Sequence, residues 1–292
     1  MSLTTRTLAC LGIALSAPGC TAADDDGGTG GVDAAGGNAC ALTDDTAATA
    51  RVNAAGCAVL ERDTASCDAA RAAAGLSGVW LHFSCRVTLT ATATGVTATS
   101  DGQPDYLSNY FASGNPCHED YDGAIQNPNQ ISAQSYSLTF PTAPNLTGAS
   151  MRGTAVVGLA LNGVPIFGNF AAPGDDIFEE ALTFDRCGAH PQMAGKYHYH
   201  AEPYAISYDD GAFIGVMRDG HAIYGRRDAD GSMPTLDAAG GHTGTTPDSA
   251  TAVYHYHVNL QTSTATGTTG EQQWFLTTGQ FAGTPGACTG CN

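Results

Sequence analysis

Tyr197-His198-Tyr199-His200 and Tyr254-His255-Tyr256-His257 are the same four residues, 57 positions apart. The block Gly158-Leu-Ala-Leu-Asn-Gly-Val-Pro-Ile-Phe-Gly168 precedes Gly215-Val-Met-Arg-Asp-Gly-His-Ala-Ile-Tyr-Gly225 by the same 57 positions. Between these blocks lie Asp185-Arg-Cys-Gly-Ala-His190 and Asp237-Ala-Ala-Gly-Gly-His242, both reading D-x-x-G-x-H. Their offset is 52, so a five-residue change in loop length is made and then undone around them. Three matches in the same order mark an internal duplication, with copies over about 151–208 and 209–262.

Each copy reads as short strands. Apolar runs flank Asn162-Gly163 and Asp219-Gly220, a pattern that predicts two-residue type I′ hairpins. Tyr-His-Tyr-His has period two and is aromatic, as a strand would be. In a strand the histidines share one face and the tyrosines the other. His198 and His200 would stand about 6.6 Å apart along it, near enough to lean toward one ion. With 37 glycines, 13 prolines and only 13% charged residues, the composition favours many short strands and tight turns. The expected fold is all-β, an antiparallel sandwich or barrel built on the duplication.

The repeat supplies three histidines per copy: His190, His198 and His200, then His242, His255 and His257. Neutral imidazole is the commonest protein ligand for zinc and copper. Three per site, or four shared across a pseudo-twofold axis, suffice for either metal. Asp185 and Asp237 are expected to orient imidazole N–H groups, with Tyr197, Tyr199, Tyr254 and Tyr256 near the pocket. Competing readings are a surface strand carrying histidine, or a hydrogen-bonded cluster without metal. Three functions follow: a copper- or zinc-binding protein, a metal-dependent hydrolase or copper oxidoreductase, or a metal-free interaction module.

Other features decide less. A formal charge of −17 and a single lysine, Lys196, leave no basic surface for nucleic acid. The serine-hydrolase, zinc-protease and phosphate-loop patterns are absent from the chain. His118 reads as a loop residue, His221 as an exposed turn residue and His82 as a packed residue in a strand. Asp228-Ala-Asp230-Gly231 hints at a structural calcium loop without matching an EF-hand. Asp175-Asp176 and Glu179-Glu180, present in the first copy only, read as a solvated charge run. Near a metal-bound water they would be general acids or bases.

The N-terminus reads as an address. Arg6, the apolar run Leu8–Ala17 and Ala17-Pro18-Gly19-Cys20 suit a signal peptide over 1–20, with Cys20 as a lipoprotein-like lipidation site. Residues 21–39 read as a flexible acidic, glycine-rich linker. The expected location is the bacterial cell envelope, by a lipid anchor in the membrane or, failing that, by secretion. Discounting Cys10 and Cys20, eight cysteines remain, an even number that suits up to four disulfides. Four lie in 40–94, expected to be a small disulfide-stapled segment with a helix near 66–74 that stops at Gly75. Cys288-Thr-Gly-Cys291 reads as structural.

The paired Tyr-His-Tyr-His motifs, the two hairpin blocks and Leu236-Asp237…Gly241-His242 resemble the YHYH-domain family of exported proteins, often lipoproteins. The resemblance extends over 95–292, from Ser100-Asp-Gly-Gln-Pro-Asp-Tyr106 and Asn115-Pro-Cys-His118 onward. It implies a histidine where Tyr106 stands and a cysteine where Ala239 stands. With Ala239 in that place, Cys117 becomes the expected partner of Cys187. The resemblance names a domain without naming an activity.

Overall fold

The computed structural model describes Cys40 and residues 46–291, apart from 124, 126, 151–155, 172–174, 208 and 209. The leader, Cys20 and the linker lie outside the described residues. Strands β1 (Thr46–Val52) and β2 (Ala58–Arg62) form a hairpin, followed by helix α1 (Ala65–Ala73). The helix ends where expected: Gly75 takes φ +85°, a conformation costly for other residues. Strands β3 (Thr88–Ala91), β4 (Gly95–Ser100) and β5 (Tyr136–Pro141) form an antiparallel sheet. Then come β6 (Ala149–Ser150), β7 (Val156–Ala160), β8 (Pro165–Phe167) and helix α2 (Ile177–Glu180). The first copy ends with β9 (Ala189–Pro191) and β10 (Tyr197–Tyr199). The second contains β11 (Phe213–Met217), β12 (Ala222–Tyr224), β13 (Gly241–Thr246) and β14 (Ser249–His257). The chain finishes with β15 (Asn259–Thr262), β16 (Gln272–Phe275), β17 (Gln280–Phe281) and β18 (Cys288–Thr289), the last joining the edge of β5.

The duplication is visible in the main sheet, whose order is β13-β14-β12-β11-β7-β8-β10-β9. Each half is one copy, and the halves meet where β7 pairs antiparallel with β11. There Leu159 faces Val216, while Gly158 faces Met217 and Ala160 faces Gly215. Leu159 and Val216 are equivalent positions, so a local twofold passes between them. Gly158 and Gly215 are required by this seam: a Cβ on Gly215 would lie 2.3 Å from the Leu159 carbonyl oxygen. Most pairings are antiparallel; β8–β10 and β12–β14 run parallel, with Ile166 beside Tyr199 and Ile223 beside Tyr256. The eight-stranded sheet and the β18-β5-β4-β3 sheet share one core that includes Leu138, Phe140, Val156, Leu159, Ile214 and Val216. The fold is all-β: these two sheets lie on a common core, and β1-β2, β15-β16 and β6-β17 form three two-stranded sheets besides.

The hairpin turns differ from expectation. Ala160 N–H donates to the Val164 carbonyl and Gly163 N–H to Ala160, closing a three-residue turn with Gly163 at φ +87°. Arg218-Asp219-Gly220 repeats it, with Gly220 at φ +90°. A type I turn followed by a left-handed glycine puts the positive φ on glycine alone. Asn162 and Asp219 are thereby left to turn their side chains inward.

The eight described cysteines form four disulfides: Cys40–Cys117, Cys57–Cys187, Cys67–Cys85 and Cys288–Cys291. Cys187 pairs with Cys57, not Cys117. The turn that carries Cys187 packs on the hairpin that carries Cys57, where the Asn53 side chain donates to the Arg186 carbonyl. Only Cys67–Cys85 staples the N-terminal segment to itself; Cys40 and Cys57 tie it to the rest.

Candidate metal centres

The D-x-x-G-x-H block is a turn that launches a histidine. Gly188 N–H donates to the Asp185 carbonyl, and Asp185 N–H donates to Ala189. One Asp185 carboxylate oxygen accepts from the backbone of Cys187 and Ala189, at 3.0 and 3.3 Å. Asp237 does the same with Ala239 and Gly241, at 2.9 and 3.2 Å. Each turn opens directly into β9 or β13, where His190 lies opposite His198 and His242 opposite His255. Neither aspartate reaches an imidazole. Asp185 instead accepts from Ser108 and from the Tyr197 hydroxyl, and Asp237 from the Tyr254 hydroxyl.

The tyrosines therefore face away from the histidines, as strand alternation requires. Tyr199 accepts from the Asn162 side chain at 3.1 Å, and Tyr256 donates to Asp219. In both copies the first tyrosine grips the D-x-x-G turn and the second grips the hairpin turn. Tyr106 sits behind this face, its hydroxyl 2.9 Å from those of both Tyr197 and Tyr199. The residue at 106 thus faces the tyrosines and not the histidines.

On the opposite face the ring nitrogens converge. His198 Nε2 is 3.2 Å from His190 Nε2 and 2.9 Å from His200 Nε2. Every Nδ1 in this group is already committed. His198 Nδ1 donates to the Lys196 carbonyl and His200 Nδ1 to the Gly168 carbonyl, at 2.8 and 2.6 Å. His190 Nδ1 is 2.6 Å from the Thr183 hydroxyl, which gives its own proton to the Glu180 carbonyl at 2.8 Å. That hydroxyl can only accept from His190. Carbonyl and committed-hydroxyl acceptors thus hold all three protons on Nδ1, leaving three Nε2 lone pairs aimed at one point. Ligands about 2.0–2.1 Å from a tetrahedral ion stand about 3.3 Å from each other, close to the distances seen.

Burial keeps these rings neutral. Desolvation, aided by the His200 charge, pushes the His190 pKa down to about 3, and desolvation pushes His200 down to about 4. His198 is driven well below the usual imidazole range by desolvation and its two neighbours. Phe167 stacks on His198 at 3.8 Å and Phe184 meets the His190 ring edge-on at 4.9 Å. The chain after His200 is fixed as well, since Leu276 N–H donates to the His200 carbonyl.

The second centre repeats the nitrogens and adds an oxygen. His242 Nε2 and His257 Nε2 are 3.3 Å apart, and His255 joins them. His255 Nδ1 donates to the Val253 carbonyl and His257 Nδ1 to Gly225, the equivalents of Lys196 and Gly168. Asp228 Oδ1 stands 3.0, 3.6 and 3.4 Å from the Nε2 atoms of His242, His255 and His257. Asp228 is thus the fourth corner of this group, of which Asp230 is not a member. Burial lowers the His255 pKa and takes His257 down to about 4. Gly244 makes room: a Cβ there would meet His242 Cε1 at 2.9 Å.

Residues 137–233 match the family model described as YHYH protein. The chain carries a YHYH domain. The match takes in the whole first centre and Asp228, while the three histidines of the second centre lie beyond it. No curated protein and no solved structure matches the chain.

The remaining histidines stand apart. His118 Nδ1 donates to the Phe111 carbonyl at 2.8 Å. His82 follows a short 3₁₀ turn (Gly78–Leu81) rather than lying in a strand, and its Nε2 contacts Asp248 at 2.5 Å. His221 is buried, not exposed, its nitrogens 3.2 Å from the carbonyls of Tyr254 and Asn145. Of the acidic run, Asp176 caps α2 through Phe178 N–H, and Glu180 Oε2 comes within 3.7 Å of His200 Nε2. Glu180 and Asp228 are the two site residues that the repeat pattern did not single out.

Proposed function

We propose that this protein binds transition-metal ions, copper or zinc, one at each three-histidine centre. One observation carries the reading. At the first centre three buried nitrogens present lone pairs to one another, with every alternative proton position spent on an acceptor. Such an array is repulsive unless a cation sits at its focus, and buried polar groups are otherwise paired. A metal-free hydrogen-bonded cluster would need at least one Nε2–H, and the Nδ1 partners oppose it.

The proposal extends to location. Four disulfides suit an oxidising compartment. Together with the leader and Cys20 they support an exported protein held at the bacterial cell envelope by a lipid anchor, its other partner being the metal ion. The test is elemental analysis of purified protein beside a variant with His198, His200, His255 and His257 changed to Ala. Two equivalents of copper or zinc are expected in the first and none in a folded variant. Absence of stoichiometric metal after loading with both would overturn the proposal.

A further inference from the structure

The two centres share their nitrogens and differ in their fourth corner. Asp228 Oδ1 lies within 3.6 Å of all three Nε2 atoms of the second centre. Among the described residues no carboxylate takes that place at the first. Glu180 Oε2 is 3.7 Å from His200 Nε2 and does not belong to the group of atoms within 4.8 Å of one another. About a quarter of the Glu180 side chain is exposed, so the free corner lies on the side nearest solvent. Phe167 and Phe184 cover the other sides. A closed set of four protein ligands marks a structural site, and three ligands with an open position mark a reactive one.

Charge points the same way. A divalent ion at the second centre is partly neutralised by the Asp228 carboxylate. At the first, three neutral imidazoles flanked by Phe167 and Phe184 leave more of the double charge unmet, since Glu180 stands outside the ligand group, and this favours an anion as the added ligand.

Resting on the metal-binding reading above, we infer that the His190–His198–His200 centre is the reactive one, its metal taking a small anionic ligand at an open position beside Glu180, while the Asp228–His242–His255–His257 centre is closed. The difference arises in the loops after β8 and β12. These span residues 168–188 and 225–240 and account for the five-residue change in repeat offset. The longer one carries α2 and Glu180; the shorter one carries Asp228.

The experiment uses purified protein loaded with cobalt(II), whose visible absorption reports coordination, and azide as the probe. Two cobalt ions should bind, and azide should shift the bands of one. His198→Ala should retain one cobalt and lose the shift; His255→Ala should retain one cobalt and keep it. Asp228→Ala, at a partly exposed side chain, should leave folding intact and open the second centre, so that both ions respond. Two bound cobalt ions with no azide response, or a response traced to the second centre, would overturn the inference. A shift that appears only in Glu180→Ala would overturn it too, by showing that Glu180 closes the first centre. Failure to bind two cobalt ions overturns the metal reading itself, and this inference with it.

Discussion

Thr183→Val tests whether the direction of a single proton sets metal affinity. Thr183 Oγ1 is 2.6 Å from His190 Nδ1 and spends its own proton on the Glu180 carbonyl. Valine keeps the shape and removes the acceptor. The His190 N–H is then buried without a partner, at a cost of about 1–3 kcal/mol. The ring can escape by moving the proton to Nε2, where His198 Nε2, 3.2 Å away, accepts it. A metal must expel that proton, so the penalty returns on binding. The first centre should therefore weaken about 10- to 100-fold, the range typical of lost partners behind a metal ligand. Zinc competition against a chromophoric chelator should show one affinity lowered and the other unchanged. Thr183→Ser, which keeps the hydroxyl, should bind both ions as the parent does. Equal loss at both centres, or none at either, would refute the reasoning.

Three further outcomes are expected. In metal-free protein the imidazoles of His190, His200 and His257 stay neutral down to about pH 3–4, whereas the unfolded chain gains protons from about pH 6.5 downward. The folded pKa values are depressed, so stability is full above about pH 6.5 and falls as pH drops toward 4. With three groups the slope approaches about 4 kcal/mol per pH unit, and a urea midpoint unchanged between pH 7 and 5 would contradict it. Gly244→Ala, with its Cβ pressed on His242, should leave one metal equivalent where elemental analysis of the parent finds two. Opening Cys57–Cys187, which spans 130 residues, should cost about 2–5 kcal/mol in denaturant unfolding. Opening Cys288–Cys291, three residues apart, should leave the midpoint nearly unchanged, because so short a loop constrains the unfolded chain little.

How much was legible beforehand follows from what repeats. Tyr-His-Tyr-His could be read as a strand because alternation alone sends histidines one way and tyrosines the other, and the observed partners obey it. The six histidines were found because both copies carry them at matched positions. The repeat does not mark Asp228 and Glu180 as ligands, because they come from loops of different length and have no counterpart in the other copy; Glu180 reads as a solvated charge, or as an acid or base near a metal-bound water. Asp228 also sat in a stretch that resembles a calcium loop, and only the fold shows its carboxylate turned to His242. Asp185 and Asp237 were assigned to the histidines on proximity in sequence. Their side chains fold back onto their own turns and accept from Tyr197 and Tyr254, which commits them away from the imidazoles. The Cys57–Cys187 pairing depended on which hairpin the D-x-x-G turn packs against, and spacing alone carries no such information.

The same division of labour explains how one scaffold supports two unlike centres. Strand geometry fixes three nitrogens in each copy, because β9 and β10, or β13 and β14, set the register that puts His190 opposite His198 and His242 opposite His255. The tyrosine face holds that register by gripping two turns per copy, and it tolerates exchange: Asn162 donates to Tyr199 where Asp219 accepts from Tyr256. Nothing in this strand-and-turn frame supplies a fourth ligand. That corner belongs to the loops after β8 and β12, which can change length without disturbing a core strand. The shorter loop places the Asp228 carboxylate within 3.6 Å of all three Nε2 atoms of one centre. The longer loop spends its extra residues on α2, which holds Glu180 Oε2 3.7 Å from His200 Nε2. On the proposed metal-binding function, divergence after duplication changes the fourth corner and keeps the six histidines.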